Sequence, residues 1–149
     1  MPTPLAPGAP APPIAGTSAE GPRAIVFYKV TCPVCQMAAP KVQALDDAFP
    51  GGVVAVGQDP PDRLAGFGDE YGMHLPVIAD LAPYEASEAY GVRTVPTLFL
   101  VDSGTVLDTV EGWDREGFNR VAGRLAELTQ SPYRPVSEPG DGLPPFRPG

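Results

Sequence analysis

Both cysteines of the 149-residue chain fall in one stretch, KVTCPVCQM (residues 29–37), where Pro33 and Val34 separate Cys32 from Cys35. Two thiols at this spacing can form half of a metal site, close a small structural loop, or exchange electrons. A structural zinc takes about four protein ligands. The one histidine, His74, lies far along the chain, and no carboxylates are spaced to complete a shell. No metal is therefore expected. A disulfide across so short a loop removes little entropy from the unfolded chain, which weakens the staple reading. Redox chemistry fits the context. The pair follows a buried-type apolar run and opens a helical pattern, so Cys32 sits where unpaired backbone N–H groups and the helix dipole favour a thiolate. Cys35, one turn on, is placed to attack a mixed disulfide formed at Cys32. Two unreactive thiols at a helix start remain the bland alternative.

The elements that must position this pair follow from periodicity. AIVFY (24–28) is a continuous run of β-prone residues, as in a strand buried on both faces. From Pro33, residues Val34, Met37, Ala38, Val42, Leu45 and Phe49 recur at three- and four-residue intervals and mark one apolar helical face. Proline suits a first helical turn; Pro40, in mid-helix, should kink it. PGG (50–52) stops the helix and VVAVG (53–57) is a second buried strand, completing a right-handed βαβ unit. DPPDRLAGFGDEYG predicts a loop and short helix, HLPVIAD a weak extended segment, and 82–91 a short helix closed by Gly91. TVPTLFLVD (94–102) predicts a third strand, which SGT (103–105) turns into an antiparallel partner, VLDTVEG. Asp114 can cap a last helix whose face is Phe118, Val121, Ala122, Leu125 and Leu128. Trp113 should pack where the last strand meets this helix, Phe27 and Tyr28 should be core, and His74 should be a surface loop residue.

Seven of the 21 prolines lie in residues 1–22 and six in 131–149. Those ends lack apolar periodicity, so the expected division is a Pro-rich tail (1–21), one folded domain (22–130) and a second Pro-rich tail (131–149), with little contribution from either tail to stability. The echo YRP (133–135) and FRP (146–148) could dock on a groove, but solvated extended chain is the expectation. A net charge of −8 disfavours nucleic acid and anionic lipid. No run reaches the ~18–20 apolar residues of a membrane span, and MPTPLAPGAPAPPIAG has no basic region followed by an apolar stretch. The expectation is a cytoplasmic protein, where a close cysteine pair is catalytic or metal-binding rather than structural.

Pro96 is the second chemical signal. Proline opening a buried strand cannot donate to the ladder. A cis Val95–Pro96 bond there would turn the chain so that Val95 offers its backbone to a visitor.

Taken together, FYKVTCPVC after a strand, Pro40 in the next helix and YGVRTVPTLFLVDSGTVLDTVEG resemble the thioredoxin superfamily over roughly residues 22–130. The longer middle section, FGDEYGMHLPVIADLAPYEASEAYGVRTVPTLFLVD, is similar to two of its groups: cytochrome-maturation-type thiol–disulfide oxidoreductases, and the alkyl hydroperoxide reductase/thiol-specific antioxidant peroxiredoxins. PGAPAPPIAG is similar to the short lead-in of both. The resemblance implies an α/β thioredoxin-like fold, a central mixed β-sheet flanked by helices in the order βαβ…ββα. It implies Cys32 as nucleophile, Cys35 as resolving cysteine and Val95–Pro96 as a cis-proline platform, with Thr94, Pro33 and Val34 as further substrate contacts. It also implies protein disulfides as substrates, a thiol electron donor and no cofactor. Antioxidant activity is the implication of the second group.

The chain departs from the superfamily pattern at several positions. Thr31 replaces the usual tryptophan, Val26 stands at the buried aspartate position, and Ala38 stands where the cytochrome-maturation relatives often have glutamate. A water, Lys29 or Asp59 is then left to take the Cys35 proton. With Pro33–Val34 between the thiols and no histidine, a strongly oxidising couple is not expected. The leading reading is a reductase or exchanger of protein disulfides. The alternatives are a thiol peroxidase and a non-catalytic binding module. If Cys35 were the peroxidatic residue, Cys32 would occupy the position of the threonine such enzymes need. Arg93 lies beside the proline rather than at that family's arginine position.

Overall fold

The computed structural model describes residues 3–17 and 21–149; expectations for residues 1, 2 and 18–20 lie outside it. A five-stranded mixed sheet has the order β3-β2-β1-β4-β5. The strands are β1 (Arg23–Tyr28), β2 (Val53–Gly57), β3 (Val77–Ala79), β4 (Thr97–Asp102) and β5 (Thr105–Glu111). β1 pairs parallel with β2, and β2 with β3, while β4 runs antiparallel to both β1 and β5. The helices are α1 (Pro33–Ala48), α2 (Pro61–Tyr71), α3 (Glu85–Ala89) and α4 (Arg115–Thr129). A small second ribbon pairs β6 (Trp113–Asp114) with β7 (Phe146–Arg147). Among the described residues, no helix is long and apolar enough to cross a membrane.

The core divides by strand alternation. Ala24, Val26 and Tyr28 face one side, where they meet Val34, Ala38, Val42 and Leu45 of α1, Leu64 and Phe67 of α2, and Phe118, Val121 and Leu125 of α4. Ile25 and Phe27 face the other, where they meet Val54, Val56, Tyr90 and Phe99. Because β1 is covered on both faces, its sequence is an unbroken apolar run rather than an alternating one. α1 passes through Pro40 without a break, the proline ring lying on its exposed side. The expected helix over 82–91 is shorter. Tyr84 takes a left-handed φ of 61°, and α3 starts only after it, its first N–H groups held by Asp80 (2.8 Å to Ser87 N, 3.1 Å to Ala86 N). In α4, Phe118, Val121, Ala122 and Leu125 are buried as expected, while at the end of the helix Ala126 is buried and Leu128 only partly so.

The expectation of two unpacked tails is corrected. α3 is too short to cover its face of the sheet, and residues 5–14 complete the layer. Ile14 is buried there, Pro10 bridges Thr105, Leu5 N–H donates to the Tyr90 carbonyl (3.1 Å), and the Tyr90 hydroxyl donates to the Pro12 carbonyl (2.7 Å). At the other end, Val136 and Ser137 are buried beside α4. Asp141 ties the following loop down, accepting from Ser137 Oγ (2.6 Å) and Leu143 N–H (3.0 Å) and pairing with Lys41 (3.0 Å) and Arg115 (3.3 Å). These contacts hold its carboxyl well below the usual carboxylate range, the Ser137 hydroxyl first among them. Trp113, fully buried with its ring 4.8 Å from Phe118, donates its indole N–H to the Pro144 carbonyl at 2.7 Å. Proline-rich chain has no periodic face, but it can pack residue by residue on a surface that other elements have made.

Candidate active site

The site lies where β1 ends and α1 begins. Cys32 is the N-cap of α1, with extended backbone angles (φ −86°, ψ 113°), and its sulfur accepts the Cys35 N–H at 3.1 Å. A serine or aspartate would ordinarily fill this capping role; here the sulfur does, and the first-turn N–H groups converge on it. Pro33 follows at the first helical position, where its missing N–H costs nothing. The loop before the helix is pinned on both sides. Val30 N–H donates to Asp59 Oδ2 (2.9 Å), and Gln36 Nε2 donates to the Val30 carbonyl (2.9 Å).

The two thiols are free and differ in environment. Cys32 is partly exposed and Cys35 buried. The Cys32 thiol is pulled down to about 6, first by the hydrogen bond it shares with the Cys35 thiol, against the opposing effect of burial. The backbone N–H groups of Cys35 and Val34 and the positive charge of Lys29 add to the lowering. Burial pushes the Cys35 thiol up, and the neighbouring Cys32 sulfur adds to it. The arrangement thus favours the thiolate at Cys32 and the protonated thiol at Cys35.

The second loop comes from the start of β4. The Val95–Pro96 peptide bond is cis, and the Cys32 Sγ lies 3.4 Å from the Val95 carbonyl oxygen. Thr97 Oγ1 donates to the Thr94 carbonyl (2.7 Å) and Gly112 N–H to the Pro96 carbonyl (2.8 Å), which fix this loop against the sheet. Of the residues singled out from sequence, Cys32, Cys35, Thr94, Val95 and Pro96 meet here, with Pro33 exposed at the rim. Val34 is different. Its side chain is buried in the core below α1, so it offers no side-chain surface to a partner.

An open groove of about 330 Å³ runs past Cys32, between Lys29 and Gln58 on one side and Arg93, Thr94 and Val95 on the other. Arg93 is held by a bidentate pair with Glu111 (2.9 Å for each bond). Beneath the helix start, a cavity with room for about one water lies between Cys35, Tyr28, Phe67 and Pro96. The Tyr28 hydroxyl is buried with no hydrogen-bond partner among the described residues, and burial raises its pKa, the Asp59 charge adding to the effect. Among the described residues no group of three or more His, Cys, Asp or Glu side chains is gathered to hold a metal ion. Sequence reasoning missed Gln58 and Gly149 as groove residues. Gln58 carried no motif, and the FRP echo (146–148) was the one signal for the segment that ends beside the groove.

The mixed sheet with a cysteine pair at the head of α1 and a proline loop facing it defines a protein of the thioredoxin-like fold. The fold is shared with a protein assigned as the thiol:disulfide interchange protein DsbE from Chlorobium tepidum (21% identity, TM-score 0.69, 83% of this chain and 98% of that chain). It is shared with the thioredoxin domain of a thiol-disulfide oxidoreductase from Bacteroides vulgatus (20%, TM-score 0.67, 81% and 99%). A third likeness is to a secreted Mycobacterium tuberculosis disulfide oxidoreductase homologous to E. coli DsbE (20%, TM-score 0.61, 74% and 84%). No curated protein is matched by the sequence. The chain belongs to the AhpC/TSA family, whose family model matches residues 13–109, a span that holds both cysteines and Pro96.

Proposed function

We propose that the chain is a thiol–disulfide oxidoreductase working through Cys32 and Cys35. One observation carries this reading: a single helix start presents one partly exposed, low-pKa thiol and keeps the second buried and protonated one turn behind it. The Cys32 thiolate attacks one sulfur of a substrate disulfide; that S–S bond breaks and the other substrate sulfur leaves with the electron pair. Cys35 then gives up its proton, attacks the Cys32 sulfur and expels the second substrate sulfur as a thiol. The substrate has gained two electrons and two protons, one proton from Cys35 and one from solvent, and the protein holds a Cys32–Cys35 disulfide that an external thiol donor must reduce. Val95 and Thr94 flank the reacting sulfur and are the contacts for the incoming chain. The structural likenesses to thiol–disulfide oxidoreductases support this class of chemistry. A cytoplasmic location belongs to the reading as well, and cell fractionation tests it.

Family membership favours one second reading, a thiol peroxidase. The site geometry argues against it. No threonine hydroxyl is placed three residues before Cys35, and Arg93 turns its Nε and Nη2 to Glu111 rather than to a thiol. Insulin reduction with dithiothreitol, run beside hydrogen peroxide consumption, tests the proposal. Turnover of insulin with loss in Cys32→Ser is the expected result. Peroxide turnover with a sulfenic acid at Cys35 would establish the peroxidase. No turnover in either assay would leave a binding module.

A further inference from the structure

The segment that follows α4 returns to the reacting sulfur. Pro144 and Pro145 anchor it, their carbonyls accepting from the Trp113 indole (2.7 Å) and from Arg115 N–H (3.0 Å). Residues 146 and 147 then pair antiparallel with β6, Phe146 opposite Asp114 and Arg147 opposite Trp113. Gly112 takes a positive φ of 74° directly beneath this ribbon, and a methyl group on it would stand 2.7 Å from the Arg147 carbonyl oxygen. The chain therefore crosses Gly112 at backbone contact distance. It reaches the cis-proline loop at Gly149, where an added Cβ would run into the Val95 carbonyl and the Thr94 hydroxyl. Gly149 forms part of the wall of the groove that holds Cys32.

Cys32 Sγ and the Val95 carbonyl are 3.4 Å apart. A disulfide reaching that sulfur inside a polypeptide must bring its flanking chain alongside Val95, on the strip that Gly149 already touches. A small disulfide carries no flanking chain and needs only the groove. Resting on the disulfide-exchange reading above, we propose that residues 146–149 are a specificity element. They compete with an extended substrate chain for the Thr94–Val95 strip and leave Cys32 open to small disulfides. The aromatic and cationic side chains of this ribbon are exposed, so its hold on the strip is through backbone and the anchoring prolines rather than a buried side chain. That makes it displaceable by a partner that pairs better. The family model ends at residue 109, so this ribbon lies outside the matched span.

The test compares the full chain with a variant lacking residues 146–149, which retains Pro144 and Pro145 and hence both anchoring carbonyls. Each is assayed with insulin and dithiothreitol, and with a small aromatic disulfide, 5,5′-dithiobis(2-nitrobenzoate), after reduction of the Cys32–Cys35 pair. Deletion should raise the insulin rate several-fold and leave the small-disulfide rate unchanged. Gly149→Leu, which retains the whole chain but cannot keep its contact with Val95, should shift the insulin rate in the same direction. Thermal melts confirm that both variants are folded. An unchanged insulin rate in both folded variants, or an equal change with both substrates, overturns the proposal. If the full chain reacts with neither disulfide, the exchange reading itself is what fails.

Discussion

The sulfur of Cys32 accepts the backbone N–H of Cys35 at 3.1 Å, so the more exposed thiol caps the helix through the residue that carries the buried one. The Cys35 side chain is also the largest influence lowering the Cys32 pKa. Activation of one sulfur and restraint of the other are thus two sides of one contact.

The alkylation rate of Cys32 by iodoacetamide should rise with pH around a midpoint of about 6 and level off by neutral pH. Cys35→Ala removes the leading stabilising contact and should move the midpoint up toward the free-thiol value of about 8.5. The folded pKa is depressed, so the reduced protein's stability contribution from Cys32 is complete above the unfolded thiol pKa. It is lost as pH falls through about 6. Mass spectrometry of samples quenched across pH 4–9 reads the midpoint; one near 8.5 in the native chain would remove the basis for Cys32 as nucleophile.

Cys35→Ser should accumulate mixed disulfides with insulin or other protein disulfides, because the buried thiol that expels the product is gone. Cys32→Ser should accumulate none. Non-reducing gels distinguish the two, and equal trapping by both variants would show that the thiols do not have separate roles.

Tyr28→Phe should leave the melting temperature unchanged or raise the stability by roughly 1 kcal/mol, since the hydroxyl is buried without a partner among the described residues. The ring contact with Phe67, 5.0 Å between centroids, is retained. A clear loss of stability would reveal a hydrogen bond through the one-water cavity beside Cys35.

Deleting residues 133–149 should destabilise the fold by about 3 kcal/mol, the sum of losing the apolar contact that Val136 buries and taking the Pro144 carbonyl from the Trp113 indole N–H. At this chain length that is a drop of roughly 6–12 °C in Tm. A melt within about 2 °C of the full chain would restore the picture of a solvated tail.

Asp141→Asn should loosen the same segment without unfolding the domain. The carboxylate joins Lys41, Arg115 and Ser137, and its pKa is depressed, so its stabilisation is present at neutral pH and is lost as pH falls below the ordinary carboxylate value of about 3.9. Faster hydrogen exchange at 137–147 in the variant at pH 7, converging with the native chain in acid, is the expected pattern.

Local sequence determined the strand–helix–strand unit around the cysteines, because apolar runs and three-to-four spacing depend only on which face each residue buries. It also determined the chemistry available, since a thiol directly before a helix is polarised by the first turn whatever surrounds it. The antiparallel pair at residues 94–111 was legible for the same reason: SGT is a turn in its own right, and the runs on either side are β-prone. The same three-to-four spacing already put Val34 on the inward apolar face of α1, and its burial in the core bears out that periodicity rather than the substrate contact the resemblance implied. Tertiary structure alone decided the fate of the proline-rich ends. Residues 5–14 have no periodicity, and they are ordered by a sheet face that α3 leaves uncovered. Residues 144–149 carry no strand signal, and Phe146–Arg147 pair as a strand because Trp113 and Asp114 present a backbone edge, with Gly112 leaving room for the chain to pass toward the Cys32 groove. A periodic pattern records what a segment buries by itself; these segments bury little alone and are held by partners roughly 30 to 100 residues away, as the contacts of Trp113 with Pro144 and Thr109 with Leu5 show.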